Sequence, residues 1–537
     1  MDERQPSNGA GVQSMIEPTA AVRERMDNSA APDAPATPPK RMAGVLLHPS
    51  ALPGRFAIGD LGPSAHRFLD WLAAAGQQVW QMLPVNPPGH GNSPYAAPST
   101  FAGSPLLISP EVLREAGLLT ADEVEAAAKE APAVGPVDFA AAAIQKRALL
   151  ERAFRRFLAA GGSRKLGELR IAQASWLPDY ALFMTIKDED TRHFSEWSPD
   201  LARHTKAAFS AAERRLSDRV LYHVFTQYCF AQQWEALREH AVRVGVRLFG
   251  DLPIFPADDS ADVWANQSLF HLDDRGRPTL VAGVPPDYFS ETGQRWGNPV
   301  YRWDAVAADG YRYWIERFRR AFALMDMIRV DHFRGFEGSW HVPAAESTAV
   351  HGEWSKGPGR ELFARVEAAL GPLPIVAEDL GLITPAVERL RDELGFPGMK
   401  VLHFAFGGDP RHPFLPHEHS RRAVVYTGTH DNDTTAGWFG SLTESERERV
   451  RGYAGVGELA DPVRAMIRLA YGSVAELAVI PLQDVLGLGS EARMNVPSEP
   501  EGNWTWRFAW SQLSPDRAAW LCSLAHTYGR LPAPTEG

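Results

Sequence analysis

The chain has little cysteine. Only Cys229 and Cys522 occur in 537 residues, far apart and each in an apolar setting (QYCFAQQW, WLCSLAH), which excludes a disulfide framework and a cysteine metal site. Buried free thiols are the expectation. Long apolar runs are also missing: no stretch approaches the ~18 residues that a membrane-spanning helix needs. Positive charge is in deficit, with 55 Lys and Arg against 66 Asp and Glu, a net charge of −11 and no basic stripe. Nucleic acid is therefore not an expected partner, because phosphate-backbone binding relies on clustered Lys and Arg. Residues 1–41 are rich in Pro, Ala, Ser and charge (APDAPATPPKR) and lack the apolar stretch of a secretory signal, so a disordered tail on a cytoplasmic protein is expected.

Eight short apolar runs are present, most of them ending in polar or acidic residues: GVLLH (44–48), QVWQMLP (78–84), VRLFGDLP (246–253), LMDMIRVD (324–331), PIVAED (374–379), MKVLHFAF (399–406), AVVYTGTHD (423–431) and LAVIPLQD (477–484). Runs of this kind suit parallel strands buried on both faces. Helical stretches lie between them, including PSAHRFLDWLAAAG (63–76), GYRYWIERFRRAFA (310–323), RELFARVEAALG (360–371) and TPAVERLRDELG (384–395). The last has Thr384 as N-cap, Pro385 at its first position and Gly395 as terminator. The predicted class is α/β, a (β/α)8 TIM barrel with its chemistry on the loops after the strands. An open doubly wound sheet is the competing assignment, but no GxGxxG follows the first run.

The spacing is uneven. Residues 85–245 are too many for one connection and should form an inserted, mostly helical subdomain, with RIAQASWLPDYALFMTIKD and RVLYHVFTQYCFAQQWEALREHAV as amphipathic helices. Residues 254–309 contain VAGVPPDYFSETGQRWGNPVYRW, whose Gly, Pro and aromatic content suits a lid over a site. The barrel proper, with these interruptions, is expected to occupy 42–537.

Four of the expected strands end in a carboxylate: Asp251 (FGDLP), Asp331 (IRVDHF), Glu378 (VAEDLG) and Asp431 (GTHDND). Any one of them alone reads as well as a helix cap or a solvated loop acid. Four at one barrel mouth repel and lose hydration, and persist only if partnered or functional. Strand alternation sends Arg329 and Asp331 to the same side, so the guanidinium should favour ionised Asp331. Glu378, after apolar PIVA, is the natural second acid, one that keeps its proton. A nucleophilic carboxylate beside a protonated one is the equipment for glycoside chemistry by double displacement. Aromatic loop residues (Tyr95, Tyr288, Phe289, Trp296, Trp303, Trp340, Trp354, Trp438) offer faces for sugar rings. Core packing is the stronger reading for Trp303 and Trp340.

The strings WQMLPVNPPGHGNSPYAAPSTFAGSPLLIS, GDLPIFPADDSADVW, VAGVPPDYFSETGQRWGNPVYRW, IRVDHFRGFEGSW, VAEDLGLITPAVERLRDELGFPGMKVLHFAF, VYTGTHDNDTTAGW and RMNVPSEPEGNWTWR resemble the 4-alpha-glucanotransferases of the amylomaltase (disproportionating enzyme) family, in the alpha-amylase superclan. The resemblance runs from about residue 42 to 530. It implies Asp331 as nucleophile, Glu378 as acid/base and Asp431 as the group that holds the donor sugar's hydroxyls. Asp433 is the residue of the same HDND string most easily confused with it. The resemblance further implies a donor subsite lined by Arg329, His430 and Asp251, with Ser93 and Tyr95 reaching in, and a flexible lid carrying Tyr288, Phe289 and Trp296. Two positions depart from the common pattern, Asn92 before SPY and Ser498 after RMNVP, and both bear on the length of donor preferred. The implied activity is retaining transfer of alpha-1,4-glucan segments from a maltooligosaccharide or glucan donor to a glucose or glucan acceptor. No cofactor, no metal and no C-terminal β-sandwich are implied, and the oligomeric state is open.

Three rivals stand beside this expectation. A hydrolytic alpha-glucanase of the same clan differs only in the fate of the intermediate. A non-catalytic glycan-binding barrel would have lost the acids that this chain keeps. A metal hydrolase is suggested by the many histidines, most densely HPFLPHEHS (412–420), which nevertheless lacks a fixed helical ligand spacing.

Overall fold

A computed structural model describes residues 41–532, except 130–134, 287–289, 458–459, 498 and 500. Twelve strands are present among the described residues. They are β1 (Met42–Leu46), β2 (Val79–Gln81), β3 (Arg247–Leu252), β4 (Leu280–Val284), β5 (Gln294–Pro299) and β6 (Met327–Val330). The second half of the chain adds β7 (Gly338–Pro343), β8 (Glu353–Lys356), β9 (Ile375–Ala377), β10 (Gly398–Val401), β11 (Ala423–Tyr426) and β12 (Leu477–Pro481).

Eight of these form one parallel sheet in the order β10-β11-β12-β1-β2-β3-β6-β9, and each of the eight expected runs supplies one of them. The sheet curls into a nearly closed (β/α)8 barrel whose strands are almost wholly buried, because helices cover the outer face and side chains fill the interior. At the β9–β10 seam a side chain completes the pairing. Ala377 N–H donates to Pro397 O at 2.8 Å, and the Asp379 carboxylate accepts the Met399 N–H at 2.7 Å while Arg391 holds its other oxygen.

The helices Pro63–Ala74, Arg312–Leu324, Arg360–Leu370 and Pro385–Glu393 lie where the patterning predicts them. The Thr384 hydroxyl caps the last by accepting the Val387 N–H, and Gly395 beyond it takes a φ of 71° that suits glycine. Three expectations are corrected and one is widened. RIAQASWLPDYALFMTIKD is two helices, Ser163–Ala172 and Leu177–Glu189, because Pro178 starts a helix and cannot sit inside one. The helix Ser217–Val244 packs on Pro63–Ala74 and on β3 as well as on the inserted helices Leu177–Glu189 and Ser163–Ala172, so it also takes part in the ring around the barrel. The 254–309 excursion is partly ordered into strands: β5-β4-β7-β8 form an antiparallel sheet that also recruits residues 338–356. Arg41, counted with the tail, bonds the carbonyls of Tyr528 and Tyr471 and so belongs to the fold; the rest of the expected tail lies outside the described residues.

After β12 the described residues contain helices and turns but no strand. Among the described residues no helix is long and apolar enough to cross a membrane.

Candidate active site

Strand register places the charges. Asp251 on β3 pairs with Arg329 on β6, and Val330 pairs with Ala377 on β9, so Asp331 and Glu378 leave neighbouring strands side by side. Arg329 bridges two carboxylates, with Nη1 2.6 Å from Asp251 Oδ2 and Nη2 2.7 Å from Asp331 Oδ1. The Asp251 side chain is fully covered, whereas that of Asp331 keeps 31% exposure toward the cleft. From Asp251 the network continues: the Tyr95 hydroxyl donates to Asp251 Oδ2 at 2.8 Å and meets His430 Nε2 at 2.9 Å, with the two rings stacked at 5.4 Å. A phenol has one proton, so its donation to Asp251 requires that His430 carry its own proton on Nε2. That nitrogen also lies 3.3 Å from Asp431 Oδ2.

Backbone strain sets the second acid. His332, directly after Asp331, adopts φ 50° and ψ 49°, a left-handed conformation that a non-glycine residue holds only under constraint. The turn aims its N–H at Glu378 Oε2 (2.7 Å), while the Leu380 N–H reaches Oε1 at 2.8 Å. Burial, reinforced by Asp331 and opposed by Arg329, pushes the Glu378 carboxyl up to about 8.

Asp331 is also raised. Burial outweighs Arg329, and Asp251 and Asp431 add to the rise. The guanidinium does favour ionised Asp331, as expected, but burial outweighs it and its single charge is shared with Asp251. Asp331 still has the direct ion pair and the opening to solvent that Glu378 lacks, so the shared proton sits on Glu378. The arrangement can therefore deliver a proton from one acid and a carboxylate oxygen from its neighbour.

A family description that reads 4-alpha-glucanotransferase, glycoside hydrolase family 77, matches residues 47–513. The chain belongs to this family. A 4-alpha-glucanotransferase of Synechocystis sp. is 48% identical over 499 residues, covering 91% of this chain and 98% of its own. One from Thermus thermophilus is 46% identical over 504 residues, covering 91% and 99%. An amylomaltase from Streptococcus agalactiae, solved in complex with acarbose, aligns with a TM-score of 0.88 at 35% identity and covers 92% of this chain and 100% of that one.

Within this glucanotransferase fold the predicted residues separate by position. Asp331, Glu378, Arg329, Asp251, Tyr95, His430 and Asp431 lie in one connected constellation. Ser93 stands behind it: its hydroxyl caps the turn Pro94–Ala96 by accepting the Tyr95 N–H. Trp296, on β5, is 38% exposed and sets its ring edge-on against His332 at 4.7 Å. Tyr288 and Phe289 lie outside the described residues, as does Ser498. Asp433 is engaged elsewhere, accepting from Ser490 Oγ and the Thr434 N–H, which separates it from Asp431. Trp303 packs among Tyr301, Trp314 and Phe336, and Trp438 stacks on His403. In the histidine-rich loop, His417 and His419 are spent on local bonds to Pro410 O, Tyr453 Oη, Phe414 O and Ser473 Oγ.

Three contributors were not singled out from the sequence. Asn495 Nδ2 donates to Asp431 Oδ1 at 2.7 Å, and Arg493 holds the Asp431 carbonyl. Trp504, at φ 66°, sets its ring 5.9 Å from Tyr95 and 6.0 Å from His430. The RMNVP and GNWTW strings carried them, but nothing local in those strings indicates which strand end they face.

Proposed function

We propose that this 4-alpha-glucanotransferase works by retaining double displacement, with Asp331 as nucleophile and Glu378 as acid and then base. Glu378 gives its proton to the glycosidic oxygen as Asp331 attacks the anomeric carbon. The C–O bond to the leaving glucan breaks, and a β-linked glycosyl ester forms on Asp331. An acceptor 4-hydroxyl then returns its proton to Glu378 as its oxygen displaces Asp331, which restores the α-linkage. The observation that carries this reading is the pair of strand-neighbouring acids with divided roles: one open and ion-paired to Arg329, the other buried and held between two backbone N–H groups.

Asp431, fixed by Asn495 and 3.3 Å from His430 Nε2, is assigned to the donor sugar's hydroxyls. The Arg329–Asp251–Tyr95 network is assigned to the walls of that subsite. Trp296 and the segment around it exclude water so that an acceptor sugar outcompetes hydrolysis. The substrates are a maltooligosaccharide or glucan donor and a glucose or glucan acceptor. Free thiols at Cys229 and Cys522 fit the cytoplasm as the site of action. The two long excursions, one helical and one built on the small antiparallel sheet, are assigned as insertions serving the barrel mouth.

Incubation with maltotriose tests the reading. Transfer yields glucose and a ladder of longer chains. Hydrolysis alone yields only shorter sugars, and a purely binding protein leaves maltotriose intact.

A further inference from the structure

The turn after Asp331 carries a buried cation for which the mechanism above has no use. Arg334 lies in the turn Phe333–Phe336 and is 6% exposed. Its guanidinium carbon sits 3.9 Å over the ring of Trp354 on β8, and Nη1 donates to the carbonyl of Leu382. Its Nε is buried with no hydrogen-bond partner, and among the described residues no carboxylate forms an ion pair with it. A guanidinium is costly to bury in this way, and an indole face with one carbonyl recovers only part of that cost.

Its position explains its retention. The Glu378 carboxyl is held by the N–H groups of His332 and Leu380, one from each of two separate segments. Arg334 and Leu382 stand two residues beyond those donors, and their bond joins the same two segments to each other. The antiparallel sheet braces the turn from its two edge strands, with Trp296 of β5 against His332 and Trp354 of β8 against Arg334.

We infer that Arg334 is a positioning residue: by joining the Leu382 carbonyl to the face of Trp354 it locks the 332–336 turn to the 380–384 loop and fixes the aim of the Glu378 carboxyl. The inference rests on the reading of Glu378 as the acid. Arginine is required because its planar fork can stack on an indole and donate at its edge together, which a lysine ammonium cannot do.

Two donors with different leaving groups provide the test. Maltotriose needs a proton on its leaving oxygen, whereas alpha-maltosyl fluoride expels fluoride without one. Arg334→Lys and Trp354→Leu should each lower first-turnover glucose release from maltotriose by about tenfold or more, the scale of a small misplacement of a reacting group. KM and first-turnover fluoride release should stay within about twofold of the parent, the pattern of an interaction made in the transition state. Trp354→Phe, which keeps an aromatic face, should restore the maltotriose rate. Glu378→Gln runs alongside and should show the same split more deeply. If Glu378→Gln slows both donors alike, the acid assignment fails and the inference falls with it. If Glu378→Gln splits the donors but Arg334→Lys and Trp354→Leu slow both equally, or neither, Arg334 does not position the acid. Trp354 is at an exposed edge, so its variant decides the matter if Arg334→Lys does not fold.

Discussion

Two buried arginines mark the two ends of the barrel, and they are held in opposite ways. At the floor, Arg530 donates to five backbone carbonyls, those of Tyr471, Met42, Glu476, Ser473 and Ala475, and among the described residues it meets no carboxylate. Burial pushes this guanidinium down to about 9. At the mouth, Arg329 spans Asp251 and Asp331, and their charges hold it well above its ordinary value. The floor is a closed problem, because carbonyls at the starts of β1 and β12 and at the end of the helix Pro462–Gly472 need donors and the arginine supplies them. The mouth is left with more negative charge than one cation can balance. Burial keeps the proton on Glu378 and the neighbouring Asp331 charge adds to it, so chemistry resides where burial meets charges that fail to cancel.

The largest expected effect separates the two ends directly. Asp331→Asn should reduce transfer between maltooligosaccharides by at least about 10⁴-fold, as loss of a covalent nucleophile does, while thermal unfolding stays cooperative. Near-normal transfer in that variant would refute the division of roles. Arg530→Met should do the reverse. It removes one donor from each of five carbonyls, of which Glu476 keeps the Met42 N–H and Tyr471 and Ser473 keep Arg41, and it costs about 3 kcal/mol in denaturant unfolding, with the rate per folded molecule unchanged.

Glu378 sharpens the contrast through pH. Its pKa in the fold, about 8, lies above the ordinary 4.5, so the fold favours the protonated form. The stabilisation from that proton is complete below pH 4.5 and is lost as pH rises through 8, because the unfolded chain releases its proton first. The rate should fall on the alkaline side near pH 8, and Glu378→Gln should gain stability relative to the parent between pH 4.5 and 8 in paired melting curves. Asn495→Ala, which releases Asp431, should lower kcat/KM by about tenfold without moving that alkaline limb. The smallest effect is expected from Trp296→Ala. Total turnover should change little, while product analysis should show a higher share of hydrolysis, and an unchanged ratio would remove Trp296 from water exclusion.

The barrel was legible because its strands are buried on both faces, which forces continuous apolar runs whose ends show as Asp251, Asp331, Glu378 and Asp431. The antiparallel sheet was not legible. GSWHVP is mostly buried but polar in composition and EWSK is largely exposed, and in the sequence both look like loop. The helix Ser217–Val244 was visible as a helix, but its membership of the outer ring was not, since an apolar stripe fits any partner.

The sequence by itself determined which acids exist, that Arg329 and Asp331 share a side, and that eight apolar runs alternate with helices, because these follow from local periodicity. Only the tertiary structure decided that one guanidinium would be divided between two carboxylates. It also decided that a left-handed His332 would present its N–H to Glu378, and that Asn495 would hold Asp431. Those outcomes depend on the closure of the sheet, which brings residues more than forty positions apart to one rim where burial strengthens every unbalanced charge.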